Sequence, residues 1–286
     1  MESLRGTGVA LVTPFTSTGE VDFDGLKNLL EYTDKHVDYF VVHGTTGESA
    51  TTTKAEKTEI LDFVKKNNPR SLPIVLGVGG NNTAQVINDI LDNDLESISA
   101  ILSVSPYYNK PSQSGIIAHY QAIADASPLP IILYNVPGRT MSNLTSDTTL
   151  ELSKHSNIIG IKEASGDLEQ ISRIIASKPV DFIVTSGDDL LTAPMIERGA
   201  VGAISVLANA FPERFSEISN LGLAGKKDSA KQVTESFKDI NPLMYEESNP
   251  VGVKEELRLK GVCGNMVSLP LVPASESLSD RISNLI

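Results

Sequence analysis

Lys162 closes the apolar run Asn157-Ile158-Ile159-Gly160-Ile161 and is followed by Glu163-Ala164. A second apolar run ends in Tyr134-Asn135-Val136-Pro137-Gly138-Arg139-Thr140. An amine that ends a buried strand, beside a strand ending in a phenol and a guanidinium, is a candidate nucleophile toward a carbonyl carbon. An unperturbed lysine, with a pKa of about 10.4, is the neutral amine in only about one copy in 2,500 at pH 7. Burial in low dielectric disfavours the ammonium, which is how Schiff-base lysines are activated. A strand-end lysine otherwise snorkels its charge into solvent, so its neighbours decide between the two.

Those neighbours are polar residues placed directly after other apolar runs. His43-Gly44-Thr45-Thr46-Gly47-Glu48 sets two hydroxyls, Thr45 and Thr46, between glycines that let backbone N–H groups approach closely, a cradle suited to a carboxylate. Taken alone, such a turn is ordinarily just a turn. Ser105-Pro106-Tyr107-Tyr108-Asn109-Lys110-Pro111 adds phenols that can relay protons, and Arg139 can grip a second carboxylate through two parallel hydrogen bonds.

Eight short apolar runs carry these residues: near Gly8 to Val12, Tyr39 to Val42, Ile74 to Val78, Ile98 to Val104, Ile131 to Tyr134, Ile158 to Ile161, Phe182 to Val184 and Ala203 to Val206. Several are continuous rather than alternating, as parallel strands covered on both faces require. Amphipathic stretches fill the gaps. Thr53-Lys54-Ala55-Glu56 has capping-box form ahead of Ile60, Leu61 and Val64, and Asn82-Thr83 precedes Val86, Ile87, Ile90 and Leu91. Strand and helix alternating about eight times predicts an α/β fold, a (β/α)8 TIM barrel over residues 1–210, with a doubly wound open sheet as the alternative. From Phe211 the strand signal stops. Phe215, Ile218 and Leu221, then Val233, Phe237 and Ile240, and finally Leu278, Ile282 and Leu285 predict a C-terminal helical extension over residues 211–286.

In such a barrel the site lies at the C-terminal ends of the strands. The last two runs end in Ser186-Gly187-Asp188-Asp189 and Ala203-Ile204-Ser205, where phosphate-using barrels hold phosphate; paired aspartates would repel it. Gly77-Val78-Gly79-Gly80-Asn81-Asn82 lacks the final glycine of a nucleotide fingerprint and reads as a tight turn. A net charge of −12 and a pI near 4.8 argue against nucleic acid. Cys263 is the only cysteine, so no intrachain disulfide forms. His36, His43, His119 and His155 show no ligand spacing, and no metal is expected. The N-terminal residues lack signal-peptide pattern and no run approaches a membrane span, so a cytoplasmic protein is expected.

Gly44-Thr45-Thr46-Gly47-Glu48, Tyr107-Tyr108-Asn109-Lys110-Pro111, Tyr134-Asn135-Val136-Pro137-Gly138-Arg139-Thr140 and Gly160-Ile161-Lys162-Glu163-Ala164 together resemble the signatures of the dihydrodipicolinate synthase and N-acetylneuraminate lyase family, in order and spacing. The likeness runs from about Gly6 to Asn249-Pro250-Val251. It implies a tetramer built as a dimer of dimers and a cofactor-free reaction through a covalent lysine Schiff base. Lys162 would form the imine with pyruvate while Thr45 and Thr46 hold its carboxylate. Tyr134, Thr46 and Tyr108 match the proton relay, with Tyr108 reaching in from the partner subunit, and Gly187 and the carbonyl of Ile204 match the pyruvate pocket. Arg139, and Gly-Thr-Thr-Gly-Glu in place of Gly-Ser-Thr-Gly-Glu, favour L-aspartate 4-semialdehyde as second substrate, hence a synthase in the diaminopimelate route to lysine. A sugar-acid aldolase or lyase of the same family is the alternative. Two rivals from other classes are a non-catalytic keto-acid sensor, which could dispense with Lys162 and the tyrosines, and a phosphate- or metal-dependent aldolase.

The resemblance also implies a regulatory lysine site around Asn81 and Tyr107. Here Gln85 stands where those members have a Glu, and Lys54 and Lys57 lie where histidines would be. Losing a carboxylate and adding like charge predicts weak or absent feedback by lysine.

Overall fold

The computed structural model describes residues 2–285. Eight strands close into a parallel barrel in sequence order: β1 Gly6–Ala10, β2 Tyr39–Val42, β3 Ile74–Gly77, β4 Ile98–Val104, β5 Ile131–Asn135, β6 Ile158–Glu163, β7 Ile183–Ser186 and β8 Gly202–Ser205. The open sheet is thereby excluded, because β8 pairs back onto β1 through Gly6 to Val9. Between the strands run α1 Phe23–Thr33, α2 Lys54–Lys66, α3 Thr83–Leu91, α4 Gln113–Ala126, the single turn α5 Pro137–Thr140, α6 Ser146–Leu152, α7 Leu168–Ser177 and α8 Thr192–Arg198. After β8 come α9 Pro212–Leu223, α10 Lys227–Glu235, α11 Ile240–Leu243, α12 Val251–Leu259 and α13 Glu276–Ser283. Although α9 lies beyond residue 210, it packs on β1 and α8 and occupies the eighth place in the outer ring.

Local chemistry explains the helix starts. Thr53 and Glu56 make the reciprocal capping box of α2, and Asn82 caps α3 by accepting the Gln85 N–H. Ile60, Leu61 and Val64 are buried as their spacing predicts, but on α3 only Val86 and Ile90 are; Leu91, at the helix end, is 54 % exposed. Val233 and Phe237 do not share one helix with Ile240, because the chain turns between α10 and α11.

Strand alternation divides the core in two. Val9, Phe40, Val42, Leu76, Ile101, Leu133, Ile161 and Val184 face the helices, while Tyr39, Val41, Val75, Leu102, Ile132, Tyr134, Ile183 and Ile204 fill the barrel. Tyr39 lies across the interior with its hydroxyl on the Ala203 carbonyl at 3.2 Å. A Cβ at Gly8 would stand 2.2 Å from its ring, so glycine there makes room for the phenol. Because Ile161 faces outward, Lys162 must face inward.

Candidate active site

Lys162 is paired in register with Tyr134 on β5 and with Thr185 on β7, all three one layer from the strand ends. The lysine is 6 % exposed, and its Nζ sits 4.5 Å from the centroid of the Tyr134 ring. A cation over a phenol face is attracted by the ring quadrupole, and the contact puts the amine against a group able to pass protons. Gly187 follows β7 directly. A Cβ there would lie 2.9 Å from Lys162 Cε and 2.7 Å from the Ala164 methyl, so glycine leaves the space in which the lysine stem lies. Ile204 projects into the same interior from β8.

Thr46 is 3 % exposed on the turn after β2. The turn is left-handed at both ends, with φ of 60° at His43 and 55° at Glu48, conformations uncommon for residues other than glycine. Bonds from elsewhere hold it: Thr13 donates to the Gly47 carbonyl at 2.7 Å, and buried Glu48 pairs with Lys254 of α12 and accepts the Ser268 N–H at 2.8 Å. Lys254 is fully buried, and burial pushes its ammonium below the ordinary lysine range while the Glu48 charge opposes the change. Sequence reading missed this pair, since Lys-Glu-Glu in a helix reads as a solvated face.

It also missed Asp189 and Tyr245. Asp189 is 3 % exposed and accepts from the N–H groups of Val206 and Leu207, at 3.2 and 2.9 Å, bracing the loop after β8. Burial raises its carboxyl to about 6, against the hydrogen bonds and the Lys162 charge. The Tyr245 hydroxyl stands 3.5 Å from Asp189 Oδ2. Burial lifts that phenol well above its usual range, and the nearby Asp189 charge adds to the effect. The signal available in sequence was only the Asp188-Asp189 pair itself.

A cavity of about 560 Å3 opens at this end of the barrel and joins Thr45, Tyr134 and Arg139 to Asn81, Tyr107, Gln85, Lys54 and Lys57. The turn α5, capped by Met141 with φ 56°, sets Arg139 exposed at the rim. Tyr108 stands apart from the site of its own chain: it is 89 % exposed, with φ 70°. Farther along the cavity Lys54 pairs with Asp92 at 2.7 Å, and Gln85 donates to Asp89 at 2.7 Å. Burial lowers the pKa of Lys57. His43 is held near 4 by burial, with its Nε2 2.9 Å from the Lys57 carbonyl. Among the described residues there is no group of three or more potential metal ligands and no helix long and apolar enough to cross a membrane.

Comparison with known proteins agrees with the geometry. A 4-hydroxy-tetrahydrodipicolinate synthase of Cytophaga hutchinsonii is 51 % identical over 283 residues, covering 99 % of this chain and 95 % of its own. The structure of a chloride-inhibited dihydrodipicolinate synthase from Acinetobacter baumannii, complexed with pyruvate, superposes with a TM-score of 0.95 at 36 % identity, covering 99 % of this chain and 97 % of that one. A monomeric dihydrodipicolinate synthase variant gives the same TM-score at 34 % identity, with 99 % and 96 % covered. The model of the Dihydrodipicolinate synthetase family matches residues 3–286, and the chain belongs to that family.

Proposed function

We infer that the protein condenses pyruvate with L-aspartate 4-semialdehyde to give 4-hydroxy-tetrahydrodipicolinate, through an imine on Lys162. The observation that carries this reading is the inward amine of Lys162 against the Tyr134 phenol, with Gly187 clearing its path. Neutral Lys162 attacks the keto carbon of pyruvate, whose carboxylate the Thr45–Thr46 turn receives. Tyr134 and Thr46 move protons as the carbinolamine loses water. The iminium then draws electrons from the methyl C–H bond, and the resulting enamine attacks the aldehyde. Ring closure by the semialdehyde's amino group displaces Lys162. No cofactor enters these steps.

Arg139, exposed at the cavity rim, is suited to the carboxylate of the second substrate. The exposure of Tyr108 and its left-handed backbone support its acting in a partner's site. A dimer is then the catalytic unit, within a tetramer working in the cytoplasm. The Gln85 amide, lining the cavity where lysine-sensitive members would have a Glu, supports weak lysine feedback. The names of the relatives favour the synthase over a sugar-acid lyase. A coupled assay tests the choice: pyruvate with the semialdehyde should turn over, and N-acetylneuraminate should not be cleaved. The reverse pattern refutes the assignment.

A further inference from the structure

One side chain reaches Thr46 from far along the sequence. Asn249, 6 % exposed and two residues ahead of α12, donates from Nδ2 to Thr46 Oγ1 at 3.0 Å across 203 positions. Five residues later Lys254 grips Glu48 at the other end of the same turn and donates to the Met266 carbonyl at 2.7 Å. The Oδ1 atom of Asn249 is buried without a donor among the described residues, so its contact with Thr46 is the one that fixes the amide.

We propose that Asn249 is a positioning residue that orients the Thr46 hydroxyl as a proton donor toward the reacting centre, making the C-terminal helices part of the active site. The proposal rests on the synthase reading above. A threonine hydroxyl has one hydrogen and two lone pairs, whereas an amide nitrogen only donates. Asn249 therefore occupies a lone pair of Thr46 and cannot take its hydrogen. That hydrogen is left for the substrate or, in the relay the resemblance implies, for the Tyr134 oxygen. An unoriented hydroxyl would spend part of its time pointing elsewhere, and every proton transfer through it would slow.

The test compares the unaltered protein with Asn249→Ala and the near-isosteric Asn249→Asp. Two quantities are read between pH 6 and 9: the adduct trapped by borohydride with pyruvate, which reports the imine, and exchange of the pyruvate methyl hydrogens in deuterated water. Exchange requires the methyl C–H bond to break, its electrons to neutralise the iminium nitrogen and its proton to leave through the relay. Both variants should still trap pyruvate to the unaltered final extent, because the endpoint reads how much imine forms and not how fast protons move. Exchange should slow about tenfold in N249A, less than the loss of a whole acid–base group, and about 100-fold in N249D, whose carboxylate would accept the Thr46 hydrogen, at the low end of the range for such a group. The N249D rate relative to the unaltered protein should recover as pH falls, because the protonated carboxyl donates again; the N249A ratio should stay flat. Should N249D not fold, N249A alone must show retained trapping with slowed exchange.

Exchange at the unaltered rate in N249A would overturn the proposal. So would N249D matching the unaltered protein, which would put the amide oxygen toward Thr46. Equal losses of trapping and exchange, as mere disorder would cause, would overturn it too. Absence of any adduct in the unaltered protein would overturn the synthase reading itself.

Discussion

Replacing Lys254 with methionine keeps the length and apolar stem of a fully buried side chain and removes its charge together with its hydrogen bond to the Met266 carbonyl. Glu48, with 3 % of its side chain exposed, then loses its counter-charge and keeps the Ser268 N–H at 2.8 Å as its remaining partner from the C-terminal region. Breaking a buried pair from one side costs about 3–5 kcal/mol, since the surviving charge has neither water nor counter-charge. At about 2–3 °C per kcal/mol for a chain of this size, the midpoint of thermal unfolding should fall by about 6–15 °C. Removing both charges in E48Q/K254M should restore most of the loss, because a neutral pair of similar volume is roughly as stable as the ion pair it replaces. Urea unfolding of these three proteins and of E48Q gives the coupling energy, expected to exceed about 2 kcal/mol. The turn that carries Thr45 and Thr46 loosens at the same time, so KM for pyruvate should rise in K254M and return toward normal in the double variant. A single variant within about 1 kcal/mol of the unaltered protein, or a double variant as unstable as the single, would refute the reasoning.

Three further outcomes are expected. Gly187→Ala drives a methyl to 2.9 Å from Lys162 Cε and 2.7 Å from the Ala164 methyl; displacing the amine by about 1 Å should lower kcat about 100-fold, the overpacking should cost about 1–3 kcal/mol of stability, and unchanged kinetics would show that the lysine stem does not need this space. In the range pH 6 to 4 the depressed His43 and His119, both near 4, lose stability as pH falls because the unfolded chain takes up their protons. Asp189, raised to about 6, gains stability over the same range because the folded state is protonated first. Asp189→Asn should therefore steepen the acid fall of unfolding free energy by about 1.4 kcal/mol per pH unit, and parallel curves would place the titration elsewhere. Micromolar lysine should leave the initial rate unchanged, given Lys54, Lys57 and Gln85 in the cavity; inhibition would refute that reading.

The barrel was legible because parallel strands buried on both faces write themselves as continuous apolar runs. The errors sit at polar strand ends. Asn135 and Glu163 belong to β5 and β6 and are buried against one another at 3.1 Å, yet a carboxylate and an amide after an apolar run read as loop. Lys162, Tyr134 and Thr46 were visible as residues following such runs. Asn249, Lys254 and Tyr245 were not, because their contacts span 203, 206 and 56 positions and no local period encodes them. The α12 segment Val251–Leu257 is buried throughout, and its Lys254 and Glu255 meet partners inside the protein, Glu48 and the Met266 carbonyl for the one, Arg258, Asn265 and Ser279 for the other.

Reduction by borohydride in the presence of pyruvate, followed by peptide mapping, addresses the inward amine most directly. The account predicts a three-carbon adduct on Lys162 alone, abolished by Lys162→Met. A full rate of turnover without any such adduct, or an adduct on a different lysine, would contradict it.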